Sequence, residues 1–106
     1  MNPTAATILI VDDEAANRKL LEALLRPEGY LTMSAGSGEQ ALSLVAQRPP
    51  DLILLDVMMP GLNGYEVARR LKANTLTSAI PIIMVTALID RAVRLAGLDA
   101  GAEGFL

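Results

Sequence analysis

The chain has 106 residues, room for one domain with a real core. Hydrophobic residues make up 52% of it but only two Tyr and one Phe are aromatic, so Leu, Ile, Val and Ala must build that core. With no Cys and no His, disulfides, thiolate chemistry, a Ser-His-Asp triad, a His-rich zinc site and a phosphohistidine carrier are all excluded, and a net charge of −3 argues against gripping a nucleic acid backbone.

No apolar run approaches the roughly 20 residues of a membrane span. The longest candidate, residues 79–89, contains Pro81. The N-terminus shows neither the basic start nor the apolar core of a signal peptide. The expectation is therefore a cytoplasmic protein with no membrane contact.

Residues 1–6 read as a loose leader. Thr7 to Val11 form a β-branched, apolar strand that runs into Asp12, Asp13 and Glu14. A helix follows, with Leu20, Leu21, Leu24 and Leu25 as its expected apolar stripe and Pro27 and Gly29 to close it. Tyr30 to Ala35 reads as a second strand. Ser37 and Gln40 have the spacing of a capping box for a second helix, which turns Ala41, Leu44 and Val45 inward and stops at Pro49 and Pro50.

Leu52 to Leu55 is a short, wholly apolar run, the mark of a strand covered on both faces, and it ends in Asp56. Pro60 and Gly61 force a turn, and Asn63 and Glu66 repeat the capping spacing. In the third helix Val67, Ala68 and Leu71 face inward, with Arg69, Arg70 and Lys72 on the wet side. Pro81 to Thr86 is a fourth strand ending in a hydroxyl. Asp90 can cap a fourth helix that ends near Gly101, and Gly104, Phe105 and Leu106 begin a fifth strand.

Alternating strands and helices predict an α/β fold: a doubly wound, five-stranded parallel sheet of flavodoxin-like order 2-1-3-4-5. Its switch point lies between strands one and three, the two that end in acids. Asp12, Asp13 and Asp56 should then converge. Two carboxylates about 4 Å apart repel by roughly 4 kcal/mol at an effective dielectric near 20, so such a cluster holds protons or binds a cation. Hard oxygen ligands suit Mg²⁺ or Mn²⁺. Each acid alone could be a helix N-cap; together, with Thr86 also at a strand end, they point to Asp56 as a nucleophile that takes a phosphoryl group.

These features resemble the receiver domain of two-component response regulators. The resemblance rests on four ordered blocks: Ile-Leu-Ile-Val-Asp12-Asp13-Glu, Leu-Ile-Leu-Leu-Asp56-Val-Met-Met-Pro-Gly-Leu-Asn-Gly-Tyr-Glu, Pro-Ile-Ile-Met-Val-Thr86-Ala87, and Gly-Ala-Glu-Gly-Phe105-Leu. It implies that Asp56 accepts a phosphoryl group from a histidine kinase or phosphotransfer protein. It further implies that Asp13 and Asp56 bind Mg²⁺ directly, Asp12 through water, and the main-chain carbonyl of Met58 as a further ligand. Thr86 would bind the phosphoryl group, Ala87 would leave room for it, and Phe105 would turn inward when Thr86 moves. Such a domain is no conventional enzyme, although it assists its own phosphorylation and dephosphorylation.

The family has a Lys soon after the Phe105 position, then a Pro and a fifth helix. The chain reaches Leu106 before any of them, so the expectation is a receiver domain over residues 1–106, cut within strand five and lacking the last helix. Apolar surface left bare in this way would allow a homodimer. The segment from Thr86 to Ala102 resembles receivers that precede cyclic-di-nucleotide output domains. The competing reading is a pseudo-receiver, an interaction module independent of phosphorylation. A haloacid-dehalogenase-like phosphatase would need a second acid two residues after the nucleophile, where Met58 stands.

Overall fold

The computed structural model describes residues 5–85 and the backbone of Gly104–Phe105. In chain order the elements are β1 (Thr7–Val11), α1 (Ala15–Leu25), a 3₁₀ turn (Arg26–Glu28), β2 (Leu31–Ala35), α2 (Gly38–Gln47), β3 (Leu52–Asp56), α3 (Gly64–Ala73), β4 (Ile82–Val85) and β5 (Gly104–Phe105). All strand pairs are parallel and the sheet order is β2-β1-β3-β4-β5, as the alternating pattern predicts. The helix expected after Asp90 lies outside the described residues.

The central strands carry apolar side chains on both faces, because helices cover both. On one face Leu9, Val11, Ile53, Leu55, Ile82 and Met84 pack against α2 and α3 through Ala41, Val45, Val67, Ala68 and Leu71. On the other face Ile8, Ile10 and Leu54 are buried, with Leu21 and Leu25 of α1 packed on them. Each such Leu, Ile or Val contributes about 1.5–3 kcal/mol when fully buried, so the sheet and not helix propensity drives folding.

The α1 stripe is narrower than its sequence suggests. Leu21 and Leu25 meet the sheet, whereas Leu20 and Leu24 point outward at 59% and 60% exposure. Four leucines at i, i+1, i+4 and i+5 span too wide an arc for a helix seated on one edge of a twisted sheet. Lys72 also departs from its expected place among solvated cations. It is half-buried, and its Nζ donates to the carbonyls of Ser78 and Ile80 at 3.1 and 2.9 Å. The buried Thr77 hydroxyl donates to the Leu71 carbonyl at 2.6 Å, so side chains tie the end of α3 to the loop that feeds β4.

The helix starts predicted at Ser37 and Asn63 are both capped. Ser37 Oγ accepts from the Gln40 amide at 3.1 Å, and Asn63 Oδ1 accepts from the Glu66 amide at 3.1 Å. Gln40 reaches back one residue further than an ordinary capping box: its Oε1 accepts from the Gly36 amide at 2.7 Å. Between β3 and α3 the chain turns through Gly61, whose φ of 73° lies in the left-handed region.

Gly64 brings α3 onto the end of β3. Its amide donates to the Val57 carbonyl at 3.1 Å, and a Cβ placed on it would lie 2.3 Å from the Asp56 carbonyl oxygen and 2.9 Å from Val57 Cα. Both obstacles are backbone, so a larger residue must displace α3 or β3. Gly64→Ala is expected to cost about 2 kcal/mol or more through this overlap, against about 1 kcal/mol for losing the cap in Asn63→Ala. Urea unfolding of the two variants beside the wild type checks the order.

Candidate functional site

Parallel register brings the acids together. Val11 of β1 pairs with Leu55 of β3, so Asp12 leaves the sheet beside Asp56. One carboxylate oxygen from each of Asp12, Asp13 and Asp56 lies within 4.8 Å of the others. The sequence-predicted convergence is therefore present. Asp12 is buried at 4% exposure, Asp56 is half-buried and Asp13 is exposed, so the cluster opens to solvent on the Asp13 side.

Each acid is held differently. The Asp12 amide donates to the Ala35 carbonyl at 3.1 Å, and Asp12 Oδ1 accepts from the Glu14 amide at 2.9 Å. This second bond closes an Asx turn that directs the chain into α1. Asp56 Oδ1 accepts from the Met58 amide at 3.3 Å. Partial burial, then the facing Asp12 carboxylate, push the Asp56 carboxyl from the ordinary 3.8 up to about 6; Asp13 adds to the rise and the Met58 amide opposes it. Asp51 is an instructive contrast at the other end of β3. Its Oδ2 accepts from the Thr7 amide at 2.7 Å, and it is a structural acid far from the cluster.

The donor set fits a hard divalent cation. Three carboxylates offer oxygens at a spacing one ion can bridge, and the mutual repulsion that raises the Asp56 carboxyl is what such an ion relieves. Met58 is 76% exposed, and its main chain lies at the cluster, where its amide donates to Asp56 Oδ1.

Of the remaining predicted residues, Thr86 and Ala87 lie outside the described residues, and of Phe105 only the backbone is described. Val85, the last described residue of β4, is the register partner of Asp56, and Phe105 pairs with Met84. Arg18 is a residue that sequence analysis passes over. One turn into α1, it donates from Nη1 to the main-chain oxygen of Asp12 at 2.7 Å. The available signal was a cation six residues after the first acid, at a helix start where anions are the favoured occupants.

Comparison with known proteins agrees with this geometry. Residues 8–106 match the response regulator receiver domain. Response regulator PleD of Caulobacter vibrioides is 49% identical over 102 residues, which are 96% of this chain and 22% of that protein. The phosphate regulon transcriptional regulatory protein PhoB of Pseudomonas aeruginosa is 47% identical over 100 residues, 94% of this chain and 44% of that protein. The chain thus spans less than half the length of these curated relatives. Among solved structures, Vibrio cholerae chemotaxis protein CheY4 superposes with a TM-score of 0.93 at 29% identity, covering 97% of this chain and 86% of that one. The receiver domain of sensor histidine kinase PA1611 from Pseudomonas aeruginosa, solved with a magnesium ion coordinated in its active site cleft, gives a TM-score of 0.88 at 33% identity over 97% of this chain and 84% of that one. A parallel sheet whose switch point gathers three carboxylates, matched over nearly its whole length by these proteins, places the chain in the response regulator receiver family of two-component signalling.

Proposed function

We propose that this domain is a phospho-acceptor, that Asp56 is the acceptor, and that Mg²⁺, with Mn²⁺ as a substitute, is its cofactor. The observation that carries the reading is the trio of carboxylate oxygens within 4.8 Å of one another, with Asp56 at the end of a buried strand. Asp12, Asp13 and Asp56 would hold the ion together with the Met58 carbonyl. When bound, the ion supplies charge neutralisation for the cluster and for the incoming phosphoryl oxygens.

The chain's own part in the reaction is simple. With its carboxyl near 6, Asp56 is largely ionised at neutral pH and its carboxylate oxygen can attack phosphorus. A P–O bond to Asp56 forms as the bond from phosphorus to the donor breaks, the donor being a phosphohistidine nitrogen of a histidine kinase or phosphotransfer protein. The product is an acyl phosphate. Water later attacks the phosphorus, releasing inorganic phosphate and restoring the carboxylate. By family resemblance Thr86 receives the phosphoryl oxygens in the space beside Ala87, and Phe105 follows Thr86.

The domain would then be the input module of a longer cytoplasmic regulator. Added charge at Asp56 reorders neighbouring loops and so acts on an output domain or on a second copy of the chain. The segment from Thr86 to Ala102 favours a cyclic-di-nucleotide output. Family membership alone leaves the output free, since the relatives include transcriptional regulators.

Protein expressed from its complete gene, given acetyl phosphate and Mg²⁺, is expected to gain the mass of one phosphoryl group. The adduct should be cleaved by hydroxylamine and be absent after chelation or in Asp56→Asn. An unmodified wild-type protein, with function intact in Asp56→Ala, would instead establish an interaction module that works without phosphorylation.

The raised Asp56 carboxyl makes a separate prediction for stability. A carboxyl raised in the folded state contributes stability that is fully present below 3.8 and lost as pH rises through about 6. Asp56→Asn removes that loss. Because the site is partly open to solvent, the gain at pH 7.5 without Mg²⁺ should be about 1 kcal/mol, or ~4–8 °C in Tm. Thermal unfolding should show the gain vanishing near pH 4.

A further inference from the structure

Arg18 stands out among the groups that the proposed function leaves unused. Its Nη1 donates to the Asp12 main-chain oxygen at 2.7 Å. That oxygen belongs to the peptide unit joining Asp12 to Asp13. Fixing it fixes the ψ of Asp12 and the φ of Asp13, and with them the directions in which both side chains leave the backbone. The other bonds at this corner are already taken: the Asp12 amide by Ala35, and the Asp12 carboxylate by the Glu14 amide. The peptide carbonyl takes its partner from a side chain, that of Arg18.

The guanidinium is itself seated. It lies against Gly36, where an added Cβ would be 3.3 Å from Nη1 and 3.7 Å from both Cζ and the Gln40 side-chain oxygen. Gly36 is held in turn by Gln40, whose Oε1 accepts its amide. Arg18 therefore spans from α1 to the loop between β2 and α2, and the end of β1 is fastened between them. The planar, forked guanidinium suits a fixed reach of this kind better than a mobile ammonium.

We infer that Arg18 is a positioning residue for the cation site: it locks the Asp12–Asp13 peptide so that both carboxylates face Asp56. This inference rests on the phospho-acceptor reading and deepens it. Charge and geometry make opposite forecasts here, which gives the test its power. Arg18 is a cation near a cation site, so on charge alone its removal strengthens Mg²⁺ binding. If it positions the ligands, its removal weakens binding.

The experiment is a Mg²⁺ titration of the full chain, followed by calorimetry and by the amide resonances of Asp13 and Asp56, for the wild type, Arg18→Met, Arg18→Lys and Gly36→Ala. Met keeps the apolar stem and loses the donor. Arg18→Met is expected to raise the Mg²⁺ Kd about tenfold, the scale usual for groups that orient metal ligands. Arg18→Lys should recover only part of that loss, because a mobile ammonium replaces the planar fork. Gly36→Ala, whose Cβ crowds Nη1 by a few tenths of an ångström and leaves its charge in place, should shift Kd in the same direction by less. It also stands in if Arg18→Met does not fold. An unchanged or lower Kd in Arg18→Met, or in Gly36→Ala where only that variant folds, overturns the inference and leaves the acceptor site standing. A wild-type chain that binds no Mg²⁺ rejects the acceptor reading itself, and the role of Arg18 with it.

Discussion

The parallel pairing of β1 with β3 is the constraint on which the site depends. Their register, Val11 opposite Leu55, sets two carboxylates side by side at one sheet end. At the spacing found, each pair of ionised acids repels by about 3–4 kcal/mol at an effective dielectric near 20. No fold keeps such a cluster unless the apolar contacts of the strands outweigh it. Here they do: Leu9, Ile10, Ile53 and Leu55 are all completely buried, and the charges sit where the strands give out. The hydrophobic interior thus holds the site in a state that a cation or a proton relieves.

The loop from Asp56 to α3 serves the same end by another route. Gly64 lets the helix start against the main chain of Asp56, and Asn63 caps it there. Gly61 permits the reversal between them. Small residues thus do for the backbone what Leu and Ile do for the strands, and they leave the carboxylate facing outward, with the Met58 amide and the Asp13 side chain beside it.

Much of this was legible in the sequence. Apolar runs ending in acids marked β1 and β3, and the alternation of elements fixed their adjacency. Ser37 and Asn63 announced their helices because capping is a local interaction between residues three apart. Tertiary geometry hid the rest. Whether Leu20 or Leu21 faces the sheet depends on where α1 sits across a twisted surface, which periodicity does not specify. Lys72 looked solvated because a helical wheel contains no loop to fold back over it. The role of Arg18 was invisible for a similar reason: its partner is a main-chain oxygen, and its seat is a glycine from another part of the chain.

The helices are unequally anchored. α2 and α3 each bury several residues, while α1 buries none completely and leaves two leucines in solvent. Few buried contacts mean a low free energy of local opening, so of the three described α-helices α1 is the one expected to detach first. It is also the segment joined to the acids by the Asp12 turn and by Arg18. Whatever occupies the carboxylates only when they are correctly arranged must draw α1 down onto the sheet by mass action. Amide exchange along this helix would then report how fully the carboxylates are occupied.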